Sequence, residues 1–221
     1  MPRCPGQDMR YWTPADIFYV NCPYCDYPIE FWKDEPFRLC RSCRKEVRNP
    51  RIDLGCAKWC KFGDQCLGRS ANEQLAAAPV IEKLKAQVEQ KPTAIYELAM
   101  EVERIANLLL TAEGGDPCRI KTAALLVSAV RNEPDPAGTA RKMLQETVLD
   151  EAETDAVCRL IEQVLSDGET DSIDASVVRD ALILAQKDLD RDEDFRRIST
   201  EGAQMIFNLR RKKKDADCSK A

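Results

Sequence analysis

The sequence predicts a mostly α-helical protein, an irregular bundle preceded by a small cysteine-rich module built on a β-hairpin. Three observations predict it. Eight of the eleven cysteines fall within the first 66 residues. From Ser70 onward apolar residues recur at three- and four-residue steps, with no alternating stretch. Charge also divides: residues 1–68 carry 11 basic and 9 acidic side chains, and residues 69–221 carry 22 and 29.

The module is read from its cysteines. Cys22-Pro-Tyr-Cys25 and Cys40-Arg-Ser-Cys43 are two C-x-x-C pairs with 14 residues between them. Each pair is a tight turn that aims two thiolates at one point about 2.3 Å away, and two such turns make a tetrahedral S4 site for Zn2+. The spacing is one residue under the usual zinc-ribbon window. Tyr27–Trp32 alternates and carries aromatics, so it reads as a strand. A second strand over Pro36–Leu39 would close the hairpin that brings the pairs together.

Four more cysteines remain: Cys4, Cys56, Cys60 and Cys66. Cys56 and Cys60 are i and i+4, on one face of a helical turn, and the other gaps are too irregular for two further knuckles. The set suits a [4Fe–4S] cluster, whose irons take thiolates from four directions. A second zinc, or free or disulfide-bonded thiols, are the other readings.

Composition sets the compartment and excludes chemistries. Hydrophobic residues make up 44% and charged residues 32%, the balance of a soluble globular chain. No apolar run approaches a membrane span and the N-terminus has no signal-peptide core, so a cytoplasmic protein without membrane insertion is expected. Thiols stay reduced there, and clustered cysteines then mean metal. The chain contains no histidine, which removes Cys/His fingers, Ser-His-Asp triads and His-ligated metal pairs. The basic run Arg210–Lys214 reads as a solvated helix end that complements the dipole.

Element by element, residues 1–21 read as an irregular, proline-bearing wrap around the module, and Asn49-Pro50 as a turn. The module ends at Gly68. Ser70-Ala-Asn-Glu73 has the form of a capping box and starts a helix that Pro79 interrupts. Ile95, Leu98, Ala99, Val102, Ile105, Ala106 and Leu109 form the clearest stripe, stopped by Gly114-Gly115-Asp116. Pro117 opens the next helix, apolar nearly all round to Val130, as a covered central helix is. Further helices are expected near 137–149, 151–165, 174–187 and 200–213, seven short ones in all with no internal repeat. The boundaries are a metal-binding module over 1–68, a helical domain over 69–214 and a disordered tail over 215–221.

Gly114–Val130 resembles the signature helix of the HD superfamily of metal-dependent phosphohydrolases, where an Ala-Ala-Leu-Leu run leads into His-Asp. Val127 and Ser128 stand at those positions. Leu98-Ala-Met-Glu-Val102 resembles the family's His-Ala-x-x-Val ligand helix. Arg179-Asp180-Ala-Leu-Ile-Leu184 resembles its terminal Asp-Ala-Asp-x-Leu, with Asp180 at the ligand Asp. The resemblance implies an HD-like helical fold over about residues 70–210 that lacks the family's ligands, a pseudoenzyme. Cys4-Pro-Gly-Gln-Asp8, with Tyr11-Trp12 and Asp16-Ile17-Phe18, is similar to the start of a group of HD-domain proteins from anaerobic bacteria. That implies an organism rich in iron–sulfur chemistry.

Hydrocarbon at Leu98 and Val127 cannot hold a divalent ion, and Asp180 alone does not suffice, so Asp180 reads as a helix-surface carboxylate. The expected function is a non-catalytic metal-binding protein: a helical scaffold whose Cys-rich module acts in electron transfer, redox sensing or docking on a protein partner in a redox assembly, with no small-molecule substrate. The acidic stretch Asp150–Asp194, 15 carboxylates against 4 basic residues, is either a solvated face or a means of steering a basic partner. One alternative is a phosphohydrolase with relocated ligands among Glu97, Glu101, Glu162 and Asp180. Another is a nucleic-acid-binding ribbon that uses Arg38, Arg41, Arg44, Lys45 and Arg48.

Overall fold

A computed structural model describes residues 10, 12–51, 69–166, 168, 170, 172–186 and 192–218. Among them four short strands are followed by eight α-helices, the mostly helical architecture with an N-terminal β module that the sequence predicts.

The module departs from expectation in its pairing. β1 (Ile17–Asn21) pairs antiparallel with β2 (Pro28–Trp32), and β3 (Phe37–Leu39) pairs with β4 (Glu46–Arg48). The strand over 28–32 therefore does not join the one over 37–39. Two separate hairpins form, each with a cysteine pair in its own turn. The reason is local: Asp26 and Arg44, each directly after a second cysteine, sit at φ 63° and reverse the chain at once. Residues 17–21, read as irregular, are strand because Phe18 faces inward against Phe31.

The two turns repeat each other. Asp26 N–H donates to Cys22 O and Cys22 N–H to Tyr27 O; Arg44 N–H donates to Cys40 O and Cys40 N–H to Lys45 O, all at 2.9 Å. Every position in the second set falls 18 residues after its counterpart (Cys22 to Cys40, Cys25 to Cys43). The sequence reading missed this repeat because only the cysteines are shared; the rest is backbone geometry.

The helices are α1 (Arg69–Glu89), α2 (Thr93–Glu113), α3 (Pro117–Val130), α4 (Pro136–Leu144), α5 (Glu151–Leu165), α6 (Ile173–Leu184), α7 (Asp192–Arg197) and α8 (Glu201–Cys218). α1 runs unbroken through Pro79. A proline forfeits one backbone hydrogen bond, and burial of Val80, Ile81, Leu84 and Val88 just beyond it offsets that loss. α4 stops at Leu144, five residues early, where Thr147 Oγ1 donates to Leu144 O and ends the ladder. α7 was not expected, and α8 continues past the basic run to Cys218.

α3 is the centre. Ile120 and every residue from Thr122 to Val130 are buried, and α1, α2, α5 and α6 pack around them. Its start is fixed as predicted: Pro117 opens it and the Asp116 carboxylate accepts from Arg119 N–H at 2.9 Å. The preceding turn needs Gly115, whose φ is +111° and whose missing Cβ would lie 2.6 Å from Asp174 Oδ1, the atom that accepts Asp116 N–H. Arg119 reaches Glu153 with two hydrogen bonds of 2.6 and 2.9 Å, which ties α3 to α5.

Module and helices share one core. Tyr24, 2% exposed, donates its hydroxyl to Leu108 O on α2 at 2.5 Å. Lys45 bridges Glu113 at the end of α2 (3.1 Å) and Glu201 at the start of α8 (2.9 Å), and Lys213 meets Asp26 at 3.0 Å. Arg210, at the head of the basic run, donates to Leu184 O at 2.6 Å and lies 3.7 Å from Glu101. Arg210 and Lys213 therefore fasten α8 to its neighbours, while residues 210–214 remain exposed as the solvated-end reading expects.

Candidate metal centre

Each hairpin turn delivers two thiols. The Sγ atoms of Cys22, Cys25, Cys40 and Cys43 all lie within 4.8 Å of one another, the one group of this kind among the described residues. Cys22 Sγ is 3.7 Å from Cys43 Sγ, and Cys25 Sγ is 3.6 Å from Cys40 Sγ. These separations far exceed the roughly 2.05 Å of a disulfide, and all four cysteines are free. Cys22 and Cys40 are buried, and Cys25 and Cys43 lie half open. The four are placed to hold a metal ion.

Without a cation the site is electrostatically unequal. Burial pushes the Cys22 thiol up, against N–H groups of Tyr24 and Cys25 that point at its sulfur. Burial acts on Cys25 in the same direction. There the Tyr27 N–H and the thiols of Cys40 and Cys43 prevail and bring it down to about 7. Cys43 is raised, first by burial. One sulfur thus ionises readily while two resist. A bound cation would ease that conflict by stabilising the thiolate form of all four cysteines together, so metal uptake would release protons.

Cys4, Cys56, Cys60 and Cys66 lie outside the described residues. Asp180 is 0% exposed, not a surface carboxylate: its oxygens accept Ser199 N–H at 3.0 Å and Thr200 N–H at 2.7 Å, at the start of α8. Burial raises its carboxyl above the ordinary range, against those bonds. The structure does not bring Glu97, Glu101, Glu162 and Asp180 together. Glu101 accepts two hydrogen bonds of 2.7 Å from the Nε–Nη2 edge of Arg104, and Glu162 is exposed on α5. Val127 is fully buried, Ser128 is 2% exposed, and Leu98 packs at the edge of the core.

Of the ribbon's five basic residues, Arg41 and Arg44 are exposed. Arg38 holds Glu35 and the Glu30 carbonyl, Lys45 is in its bridge, and burial lowers the Arg48 guanidinium. The ribbon also exposes apolar side chains that the sequence reading did not identify. Among the described residues Ile17, Tyr19, Tyr27, Phe37 and Leu39 are exposed, Tyr19 at 68% and Leu39 at 61%. Strand alternation was the available signal: the residues between inward Phe18, Ile29 and Phe31 must point out.

No helix is long and apolar enough to cross a membrane. No family model, curated protein or solved structure matches the chain.

Proposed function

We propose that the chain is a non-catalytic metal-binding scaffold: an HD-like helical body without the family's ligands carries a structural zinc ribbon and a [4Fe–4S] cluster on Cys4, Cys56, Cys60 and Cys66, and docks a protein partner in a redox assembly. The four-thiol group carries the reading. Thiolates about 2.3 Å from a common ion lie roughly 3.8 Å apart at tetrahedral angles. The 3.6 and 3.7 Å edges suit that arrangement, with room for one ion. The non-catalytic part is supported by hydrocarbon at Leu98 and Val127 and by the structural use of Asp180. The exposed apolar ribbon face supports docking, since such patches mark contact surfaces.

Metal analysis of protein purified without oxygen tests this reading. The expected result is one zinc and about four irons per chain, with Cys4→Ser losing iron and keeping zinc. Two zincs and no iron would remove the cluster and the electron-transfer role. Turnover of a nucleotide or phosphoester with Mn2+ or Mg2+, abolished by Asp180→Ala, would restore a hydrolase.

A further inference from the structure

A groove of about 260 Å³ opens between the two hairpins, and the residues that line it all belong to the ribbon. Ile29 is buried there, whereas Tyr19, Tyr27 and Leu39 stand exposed around it. The volume falls below the roughly 300 Å³ at which small-molecule pockets begin, and it suits a single apolar side chain. Exposed aromatic and leucine side chains around a small recess are what an anchor residue from another chain covers.

The charges at the groove decide what kind of chain that is. Two guanidinium groups line it, those of Arg38 and Arg41. Arg38 is committed within the ribbon: Nη1 donates to Glu30 O at 2.7 Å and Nη2 to Glu35 at 2.8 Å. Its hold on the Glu30 carbonyl also takes a backbone acceptor that an added β-strand would need. Arg41 is exposed, and among the described residues it has no hydrogen bond or ion pair. The carboxylate in the same groove, Glu30, is occupied: Oε2 accepts from the Tyr19 hydroxyl at 2.9 Å and Oε1 from the Trp32 indole at 3.2 Å. One uncommitted guanidinium beside an apolar recess is complementary to a carboxylate beside an apolar side chain. A phosphodiester backbone fits less well, because Glu30 lines the same groove and the whole chain carries a net charge of −5.

We propose, resting on the docking reading given above, that this groove takes an acidic segment of the partner protein, with one leucine- or phenylalanine-sized side chain seated among Tyr19, Tyr27 and Leu39 and a neighbouring carboxylate on Arg41. The apolar anchor supplies affinity and the Arg41 pair fixes the direction in which the segment lies.

The test uses full-length protein purified without oxygen, with short capped peptides as probes: glutamate-flanked leucine, glutamate-flanked alanine and lysine-flanked leucine. Calorimetry should show saturable binding of the first, about tenfold weaker binding of the second for want of the anchor, and none of the third. Leu39→Ser and Tyr19→Ser should each weaken the first peptide severalfold. Arg41→Gln should weaken it about threefold to fivefold, the range for an exposed ion pair, and that difference should shrink in 1 M salt. All three positions are exposed or half-open, so metal content should match the parent's. Equal binding of the leucine and alanine peptides, or binding unchanged in Leu39→Ser and Tyr19→Ser, would overturn the groove. So would tighter binding of an oligothymidylate than of any peptide, or self-association in sedimentation that Leu39→Ser abolishes. Cross-linking in a cell extract separates this from the docking reading. A protein captured equally by the parent and Leu39→Ser would leave docking standing and overturn the groove, whereas peptide binding with nothing captured would keep the groove and count against the redox assembly.

Discussion

The ribbon and the helical body reach order by opposite routes. From Thr122 to Val130 α3 is covered on every side, and the body holds together by burying hydrocarbon. The ribbon leaves five large apolar side chains exposed and buries few, among them Phe18, Ile29, Phe31 and Val47. Two short hairpins of this size have little core of their own, so cross-links must replace burial. Four thiols around one point are placed to supply those cross-links through a metal ion. The difference teaches where each half is vulnerable: one to lost volume, the other to lost ligands.

The sharpest way to break the comparison is to remove a thiol. Cys40→Ser should unfold the ribbon and leave the helical circular dichroism intact, because structural zinc in finger peptides is bound by about 10–16 kcal/mol and that binding is folding energy. Limited proteolysis checks it; a ribbon that stays resistant after Cys40→Ser would show that packing alone holds it. Next in size is Leu126→Ala, at a fully buried position of α3. A loss of about 2–5 kcal/mol in urea unfolding is expected, with zinc content unchanged.

Asp180→Ala should cost about 1–3 kcal/mol by stranding the N–H groups of Ser199 and Thr200. Its pH dependence has a definite sign. The folded carboxyl titrates above the unfolded one, so its contribution is complete below the unfolded pKa and declines as pH rises through the folded value. The gap between parent and Asp180→Ala should therefore be wider at pH 4 than at pH 7 in matched urea melts. The smallest effect is expected from Tyr24→Phe, about 1 kcal/mol for the bond to Leu108 O. A larger loss that also lowers zinc affinity would mean that the two regions are one cooperative unit.

Legibility in the sequence follows the same division. The ligand set could be read because C-x-x-C is chemistry written in adjacent residues. The helices from 93 to 165 could be read because period and caps are local, and Asp116, Asp135 and Asp150 each cap the helix they precede. Strand pairing could not be read. It turned on left-handed residues at Asp26 and Arg44, and neither is a glycine that would have announced one. Asp180 was misread because its partners lie 19 and 20 residues away, and no periodicity shows that a carboxylate will turn inward to cap a distant helix. Pro79 misled because a helix breaker in sequence is only a local cost in structure.

The bridge between Lys45 and Glu201 has a consequence for the order in which the protein is made. Its two residues are 156 positions apart, and Lys213 must then reach back to Asp26. At about 5–20 residues per second, the ribbon leaves the ribosome roughly 8–30 s before the helix that clasps it. During that interval the cysteine turns have neither α8 nor its salt links. Metal capture at that stage would fix a half-supported ribbon, whereas capture after release would find both turns already braced. For a ribbon that takes a metal on its four thiols, supply during synthesis would therefore bear on the yield of correctly folded chains.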